Sequence, residues 1–419
     1  MTPFTRRNFL RSAGLGSLTL PAWFPRVAFA AAPSAQRDIL VCIFQRGAAD
    51  GLNMVVPVGD DDYYKNRPTI GIAQPSGAAG AAIDLDGFFG LHPSLAPFKE
   101  LWDDGVLAAV QATGSPDGTH SHFDAMDFME RGTPGSKSIP TGWIGRHLGS
   151  VDPGTTGNTS PFRAVGMGTL VQASLRGPVA ATALQSIADF HLGGKGAVAS
   201  QIATFQASLS SLYADNAWLD LQAQQTVSAI NTLAAANPGA YQPQNGAKYP
   251  DTDFGSAMMQ VSQLIKADLG LEVACVDLGG WDTHASQGGA TGQQADLLAE
   301  LAGGLAAFHA DLADRMSRII VVTMSEFGRR LLENGSGGTD HGHGNCMFVL
   351  GGGVNGGKVY ADWPGLAPSQ LSSPGDLAIT TDYRTVLAEI VDRRLVNPKL
   401  ADVFPGFTPP AYLGVTRAA

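Results

Sequence analysis

The chain has 419 residues, of which 44% are hydrophobic and 15% charged, and it carries a net charge of −10. This length supports either one large α/β domain or two smaller ones, each with a substantial core. No cluster of basic residues follows the N-terminal segment. The composition therefore excludes nucleic acid and anionic membranes as main partners, because both bind faces rich in Lys and Arg.

Residues 1–30 have the features of an export signal. The twin arginine Arg6-Arg7 precedes a modest apolar stretch, and the small residues Ala28 and Ala30 stand at alternate positions near its end. Alternating small residues are typical of a secretory signal, and a twin arginine is typical of the pathway that exports folded proteins. An amphipathic N-terminal helix is the other interpretation of this segment.

Two prolines argue against that helix, since Pro21 and Pro25 would interrupt its hydrogen bonds. We expect the mature chain to begin near Ala31 and to be exported through the twin-arginine pathway to the periplasm or the cell exterior. We expect no transmembrane segment after the signal. Residues 31–419 are predicted to form a single domain.

Apolar, β-branched runs alternate with helical patterns along the rest of the chain. Continuous apolar runs predict buried strands at Arg37–Phe44, Gly105–Ala112, Leu271–Leu278, Arg318–Met324 and Cys346–Gly353. Helical spacing predicts helices at residues 121–132, 256–269, 293–316 and 381–395. Strands of this kind need helical crossovers, so the sequence predicts an α/β fold, a mostly parallel sheet with helices on both faces.

One segment stands apart from this alternation. The stretch from 196 to 236 is rich in Ala, Ser and Gln with helical spacing. It predicts two helices that form a cap or insertion extending over residues 196–255.

Polar, glycine-containing loops follow the predicted strands, and sheets of this class bind ligands at the carboxyl ends of their strands. These loops carry five of the nine histidines together with acids and an amide: Asp50, Asn53, Asp117, His120, His122, Asp282, His284, Glu326, Asp340, His341 and His343. Asp282 and His284 are two residues apart, so in an extended segment they project to one side, and His341 and His343 share that spacing.

Carboxylate oxygens combined with imidazole nitrogens suit zinc, manganese or iron, whereas oxygen-only sites suit calcium or magnesium. The pattern predicts a divalent metal ion, with zinc or manganese favoured over calcium or magnesium. A polar surface loop that happens to carry histidines is the alternative, since a lone histidine is more often a structural polar residue.

Ser121 is the candidate nucleophile, with its neighbour His122 as the second candidate catalytic residue. Ser121 stands where a loop enters a predicted helix, and the N–H groups and dipole of a helix N-terminus favour an anionic substrate. The alternative role of Ser121 is to cap that helix, and the two roles do not exclude each other.

The three cysteines lie far apart in apolar runs. Cys42, Cys275 and Cys346 are therefore predicted to be small buried core residues rather than disulfide partners or metal ligands.

Several motifs together resemble one bacterial family. The twin-arginine signal, FQRGAADGLN, SHFDAMDFMERG, GWDTH, TMSEFGRR and DHGHGNCMFVLGGGVNGG, in this order, are similar to the family called domain of unknown function 1501. The family is regarded as a branch of the alkaline phosphatase and sulfatase superfamily. The resemblance covers nearly the whole mature chain and implies a fold of the alkaline phosphatase/sulfatase type.

The resemblance also implies roles for individual residues. In the superfamily two metal subsites flank a Ser, Thr or Cys nucleophile, which Ser121 resembles, one residue out of strict register. The residues that match its metal ligands are Asp50, Asp282, His284, Glu326 and either His341 or His343. The residues expected to hold the substrate anion are Arg46, Asn53, His120 and Arg329, although an arginine beside an acid more often forms a structural ion pair.

The chain departs from the superfamily pattern in two residues. Glu326 is longer than the usual acid, and Phe327 stands where the superfamily often has a metal-binding His or Asn. These differences predict that one metal subsite is weakened or lost.

The expected reaction is hydrolysis of a phosphate or sulfate ester, with a small anionic ester or a surface polysaccharide as the substrate. A secreted binding or scaffold protein on a degenerate hydrolase fold, with a protein partner, is the alternative. A metal-dependent enzyme of different chemistry, such as a phosphomutase or a polysaccharide esterase, is the third interpretation. Fold similarity does not decide among them.

Overall fold

A computed structural model describes residues 38–151, 160–187 and 241–419, together with residues 200, 201, 204, 207, 208 and 233. The predicted export signal lies outside these residues. So does most of the helical insertion predicted for residues 196–255.

The central element is one mixed sheet. The strands are β1 Ile39–Gln45, β2 Val55–Val56, β3 Ile83–Asp84, β4 Gly90–Leu91, β5 Leu107–Gly114, β6 Ala164–Met167, β7 Thr182–Leu184, β8 Val273–Leu278, β9 Ile319–Met324, β10 Asn345–Gly351, β11 Lys358–Tyr360 and β12 Thr381–Asp382. Its order is β11-β5-β10-β9-β1-β8-β6-β7, with β12 also paired to β5, while β2, β4 and β3 form a small second sheet. Six of the eight pairings between described strands of the large sheet are parallel.

Helices cover both faces of the large sheet. In the described residues they are α1 Gly51–Met54, α2 Asp61–Asn66, α3 Pro97–Asp103, α4 His122–Arg131, α5 Trp143–Ser150, α6 Asp253–Lys266, α7 Gln293–Asp311, α8 Tyr383–Arg393 and α9 Leu400–Val403. Apolar side chains of α3, α6 and α7 pack in the core on one face. Those of α4, α5, α8 and α9 pack in the core on the other. The predicted α/β class, a mostly parallel sheet with helices on both faces, is confirmed.

The five predicted strands are all present, with bounds shifted by a few residues. The prediction of a helix from 293 to 316 is too long: α7 ends at Asp311, and Met316–Arg318 forms a separate 3₁₀ turn that leads into β9. The three cysteines are buried and free, as predicted. Within the described part of the chain, no helix combines the length and the apolar character needed to cross a bilayer.

The direction of β10 determines where the polar loops meet. This strand runs antiparallel to both of its neighbours, β5 and β9, whereas β1 runs parallel to β8 and β9. The segment that precedes β10 therefore lies at the same sheet edge as the segments that follow β1, β5, β8 and β9. Four loops, those that follow β1, β5, β8 and β9, converge at this carboxyl edge, and the last of them leads directly into β10. Sheets of this class bind ligands at this edge.

Candidate metal centre

Four side chains converge above the carboxyl edge of the sheet. The Nε2 atoms of His122 and His284 each lie 2.9 Å from Nε2 of His341. Oδ1 of Asp282 lies 3.1 Å from His284, 3.2 Å from His341 and 3.5 Å from His122, measured to Nε2 in each case. The ligand atoms of His122, Asp282 and His341 all lie within 4.8 Å of one another, which is close enough to hold one metal ion.

The other ring nitrogen of each histidine contacts an oxygen acceptor. Nδ1 of His122 lies 2.8 Å from Oε1 of Glu326, Nδ1 of His341 lies 2.9 Å from the carbonyl of His120, and Nδ1 of His284 lies 3.1 Å from Oδ1 of Asp340. Carboxylates and carbonyls accept hydrogen bonds, so each Nδ1 carries the proton in this arrangement. The lone pair of each Nε2 is then free to bind a cation.

This donor set fits a metal ion. Nε2 of His341 lies 2.9 Å from two other unprotonated Nε2 atoms, and such nitrogens repel one another unless a cation or a shared proton lies between them. One proton can bridge only two nitrogens, so it cannot satisfy both contacts of His341. The hydrogen bond that His122 donates to Glu326 raises the pKa of His122, while burial lowers the pKa of His341. Three imidazole nitrogens and one carboxylate oxygen form a ligand set that suits zinc.

Arg329 holds Asp282 in place. The Arg329 side chain is fully buried, and Nη2 donates to Oδ1 of Asp282 at 2.7 Å. Its nitrogens also donate to four backbone carbonyls of the surrounding loops: Gly47, Ala48, Trp281 and Thr339. Burial raises the pKa of Asp282, but the hydrogen bond and charge of Arg329 outweigh it and bring the pKa to about 2. Asp282 is therefore an anion over the whole physiological pH range.

Two glycines let the loops approach this closely. Gly47 has φ of +117°, and a Cβ there would lie 2.6 Å from the backbone nitrogen of Asp282. A Cβ at Gly328 would overlap the carbonyl of Gly344. Larger residues would separate the loops that carry the ligands.

Glu326 lies behind the cluster rather than within it. It is 1% exposed, and its Oε1 accepts hydrogen bonds from Nδ1 of His122 and from the N–H of Gly47. Its Oε2 accepts from the hydroxyl of Ser325. An acid bonded to the remote nitrogen of a metal-binding histidine fixes the orientation of the ring and makes the ring a stronger ligand.

Replacing Glu326 by Gln is expected to lower the affinity for zinc by about 10–100-fold, because the ring of His122 loses a charged acceptor while the site keeps its shape. Competition with a chromophoric zinc chelator would measure this change. Unchanged affinity in a folded Glu326→Gln variant would contradict the supporting role of the acid.

Asp50 and Asn53 lie apart from the histidines in a buried polar network. Both oxygens of Asp50 accept from the guanidinium of Arg67, at 2.5 and 3.0 Å, and Oδ2 also accepts from Gln287 at 2.7 Å. Oδ1 of Asn53 accepts from Arg67 and from Tyr63, both at 2.6 Å. These side chains join the loop after β1 to the neighbouring loops.

The structure separates the members of the two His-x-His pairs. His122 and His341 belong to the cluster, whereas Nε2 of His343 lies 3.0 Å from the carbonyl of Ser115. The ring of His120 lies 3.4 Å from the buried carboxylate of Asp376. The backbone carbonyl of His120, rather than its ring, contacts the cluster.

The remaining candidates are Arg46 and Ser121. Arg46 forms ion pairs with Glu130 at 3.1 Å and Asp277 at 2.9 Å. Ser121 precedes α4 directly and makes no capping hydrogen bond with its side chain. Its hydroxyl instead contacts the carboxylate of Asp124.

Three residues near the centre were not predicted from the sequence. Arg67 and Gln287 fix Asp50, and Arg330 lies beside Asp340 and Asp376 with its side chain 37% exposed. Arg330 follows Arg329 directly, and two adjacent arginines give no sign of which one is buried. Arg67 and Gln287 stand in stretches without a ligand-like pattern.

The fold and the centre define an α/β protein with a candidate metal site at the carboxyl edge of its sheet. The chain belongs to the DUF1501 family, proteins of unknown function, whose family model matches residues 37–397. A search of curated proteins found no match.

Among solved structures, the chain is similar to the PsFucS1 sulfatase from Pseudoalteromonas sp., with 10% sequence identity and a TM-score of 0.34. The match covers 78% of this chain and 64% of the sulfatase chain, which is less than two thirds of its length. At this TM-score the similarity carries no argument about the reaction.

Proposed function

We propose that this protein is an exported metal-dependent hydrolase that acts on a phosphate or sulfate ester. The observation that supports the proposal most directly is the convergence of three imidazole Nε2 atoms on Oδ1 of Asp282, within 3.1–3.5 Å. Each ring is held by an oxygen acceptor at its Nδ1 atom. A ligand set with its supporting acceptors in place is the arrangement that metal-binding histidines have in proteins.

His122, His341, Asp282 and His284 would hold the ion. When bound there, a zinc or manganese ion polarises an ester oxygen and lowers the pKa of a nearby hydroxyl or water. The side chain of Asp282 is 49% exposed and that of His284 is 43% exposed, so the centre faces solvent and a substrate can reach it. Manganese is proposed as an alternative to zinc, because imidazole and carboxylate ligands suit both ions.

The protein's own residues would position the substrate and the nucleophile. Ser121 lies at the N-terminus of α4, where backbone N–H groups stabilise an anionic ester, and its hydroxyl is oriented by Asp124. In the proposed reaction Oγ of Ser121 forms a bond to phosphorus or sulfur while the bond to the ester oxygen breaks, and the serine proton passes to the leaving alcohol. Water then hydrolyses the serine ester, which releases phosphate or sulfate and restores the hydroxyl. Arg330, whose side chain is partly exposed, would bind the substrate anion in place of the buried Arg329.

A twin-arginine signal accounts for export, and the periplasm or the cell exterior is the proposed location. The proposed substrate is a small anionic ester or a surface polysaccharide. The relation to the alkaline phosphatase and sulfatase superfamily is part of the proposal and is supported by the order of the motifs along the chain.

One observation favours a second candidate function, that of a binding protein on a degenerate hydrolase fold. Asp50, which matches a superfamily ligand, is held by Arg67 within a network that is closed to solvent. The histidine cluster is kept, but Asp50 stabilises the fold instead of binding a metal. This combination is consistent with loss of catalysis. Such a protein would bind an anionic partner through the remaining metal.

The experiment that separates these functions uses zinc-loaded and manganese-loaded protein with panels of aryl phosphates and aryl sulfates. We expect hydrolysis of one ester class, and a decrease in kcat of about 10³-fold or more in Ser121→Ala, since loss of a nucleophile removes a whole catalytic route. The exposed Ser138→Ala provides a matched control and should be fully active. No hydrolysis by metal-loaded protein would favour the binding function, whereas full activity of Ser121→Ala would exclude the serine as nucleophile.

A further inference from the structure

Three sulfur atoms meet in the core on one face of the sheet, apart from the histidine centre. They belong to three neighbouring parallel strands: Cys42 on β1, Cys275 on β8 and Met324 on β9. Cys42 and Cys275 are directly opposite in the strand register, and both side chains line the same small cavity. Sγ of Cys42 lies 3.6 Å from Sδ of Met324.

A small cavity of about 10 Å³ lies against these sulfurs. Polar and charged side chains also line it, including Arg46, Glu130 and Asp277. Trp143 and Gln172 also line the cavity, and Nε1 of Trp143 and Oε1 of Gln172 are buried without a hydrogen-bond partner among the described residues. A cavity of this size holds one water-sized or ion-sized occupant.

We propose that this cavity binds one soft monovalent metal ion, Cu⁺, through the sulfurs of Cys42, Cys275 and Met324. Thiolate and thioether sulfurs select Cu⁺ over harder ions. A metal–sulfur bond of about 2.3 Å places sulfurs in a trigonal site about 4 Å apart. The 3.6 Å separation of the Cys42 and Met324 sulfurs is close to this value, so these two side chains need to move only slightly to share an ion.

Cu⁺ binding at the three sulfurs changes both the protonation and the charge of the site. Binding releases the proton of each coordinating thiol to solvent, so two thiolates and one Cu⁺ carry a net charge of −1. Arg46, Glu130 and Asp277 line the same cavity, and because Arg46 is shared between the two carboxylates, their remaining negative charge attracts the entering cation. The histidine centre offers nitrogen and oxygen ligands, so zinc or manganese at that centre and Cu⁺ at the sulfurs do not compete. This inference is independent of the proposed hydrolytic function.

The test measures Cu⁺ binding to the full-length mature protein under anaerobic conditions, in competition with the chromophoric chelator bicinchoninate. We expect one tightly held Cu⁺ per chain, and a loss of affinity on the order of a hundredfold in Cys42→Ser, Cys275→Ser and Met324→Leu. Cys346→Ser, at a buried cysteine on β10, and His341→Ala, at the histidine centre, should retain the ion. X-ray absorption at the copper edge should show sulfur neighbours only.

Met324→Leu keeps the side-chain volume and tests the site even if a serine variant fails to fold. A wild-type chain that does not compete with the chelator would overturn the proposal. Cu⁺ that is retained by Met324→Leu and both serine variants but lost in His341→Ala would also overturn it, since the ion would then lie at the histidine centre.

Discussion

His341→Ala is expected to abolish metal binding, whereas His343→Ala is expected to retain it. Nε2 of His341 lies 2.9 Å from two other histidine nitrogens, while the ring of His343 contacts the carbonyl of Ser115. Removal of a direct ligand should lower zinc affinity by at least about a hundredfold, the upper end of what loss of a supporting residue costs. The two residues are two positions apart and chemically identical, so each variant is the control for the other.

Elemental analysis of protein purified without chelator would check this prediction. The wild type and His343→Ala should contain near-stoichiometric zinc or manganese, and His341→Ala should contain less than about a tenth of that amount. Equal metal content in both variants would place the ion elsewhere. Loss of metal in His343→Ala alone would show that the ligand arrangement described here is incorrect.

The sequence was informative about the sheet edge because strand patterns are local. Buried parallel strands are continuous apolar runs, and the loops after β1, β5, β8 and β9 could be assigned to one edge from that pattern alone. The reversal of β10 was not predictable, since an antiparallel strand flanked by helices has the same apolar sequence. That reversal brings the segment before β10, with His341, to the same edge.

The role of each acid depends on contacts that are distant in the chain. Asp50 and Glu326 both follow strands and both have the chemistry of metal ligands. Asp50 contacts Arg67, and Glu326 contacts His122, 204 positions away. Spacing within a loop indicates which side chains share a side, as for Asp282 and His284, but it does not reveal which of them face a buried arginine.

The sequence also does not reveal which arginine is buried. Arg329 and Arg330 are adjacent in the sequence, and only tertiary packing determines that the first is fully buried and the second 37% exposed in its side chain. An arginine beside an acid is more often structural than substrate-binding. The contacts of Arg329 with four carbonyls and Asp282 favour the structural role.

Arg329→Met is expected to lower the free energy of unfolding by about 3–5 kcal/mol, because four buried backbone carbonyls lose their donor and each unsatisfied group costs roughly 1–3 kcal/mol before the loops relax. The substitution keeps an unbranched side chain of similar length but removes every donor to Gly47, Ala48, Trp281, Thr339 and Asp282. Chemical denaturation of metal-free wild type and variant would measure the difference. The neighbouring Arg330→Met, at a partly exposed side chain, should change stability by no more than about 1 kcal/mol.

Arg329 has two possible roles, stabilising the loops and positioning Asp282. Chemical denaturation with and without zinc, together with a measurement of zinc affinity, separates them. If the arginine only positions Asp282, metal-free wild type and variant should be equally stable and differ only in zinc affinity. The contacts with four carbonyls predict instead that the difference persists without metal and that zinc affinity also falls. Because Arg329 ties the loops after β1, β8 and β9 to the segment before β10, its loss should disorder the ligands together, and restoring charge with Arg329→Lys should not recover the geometry of five acceptors.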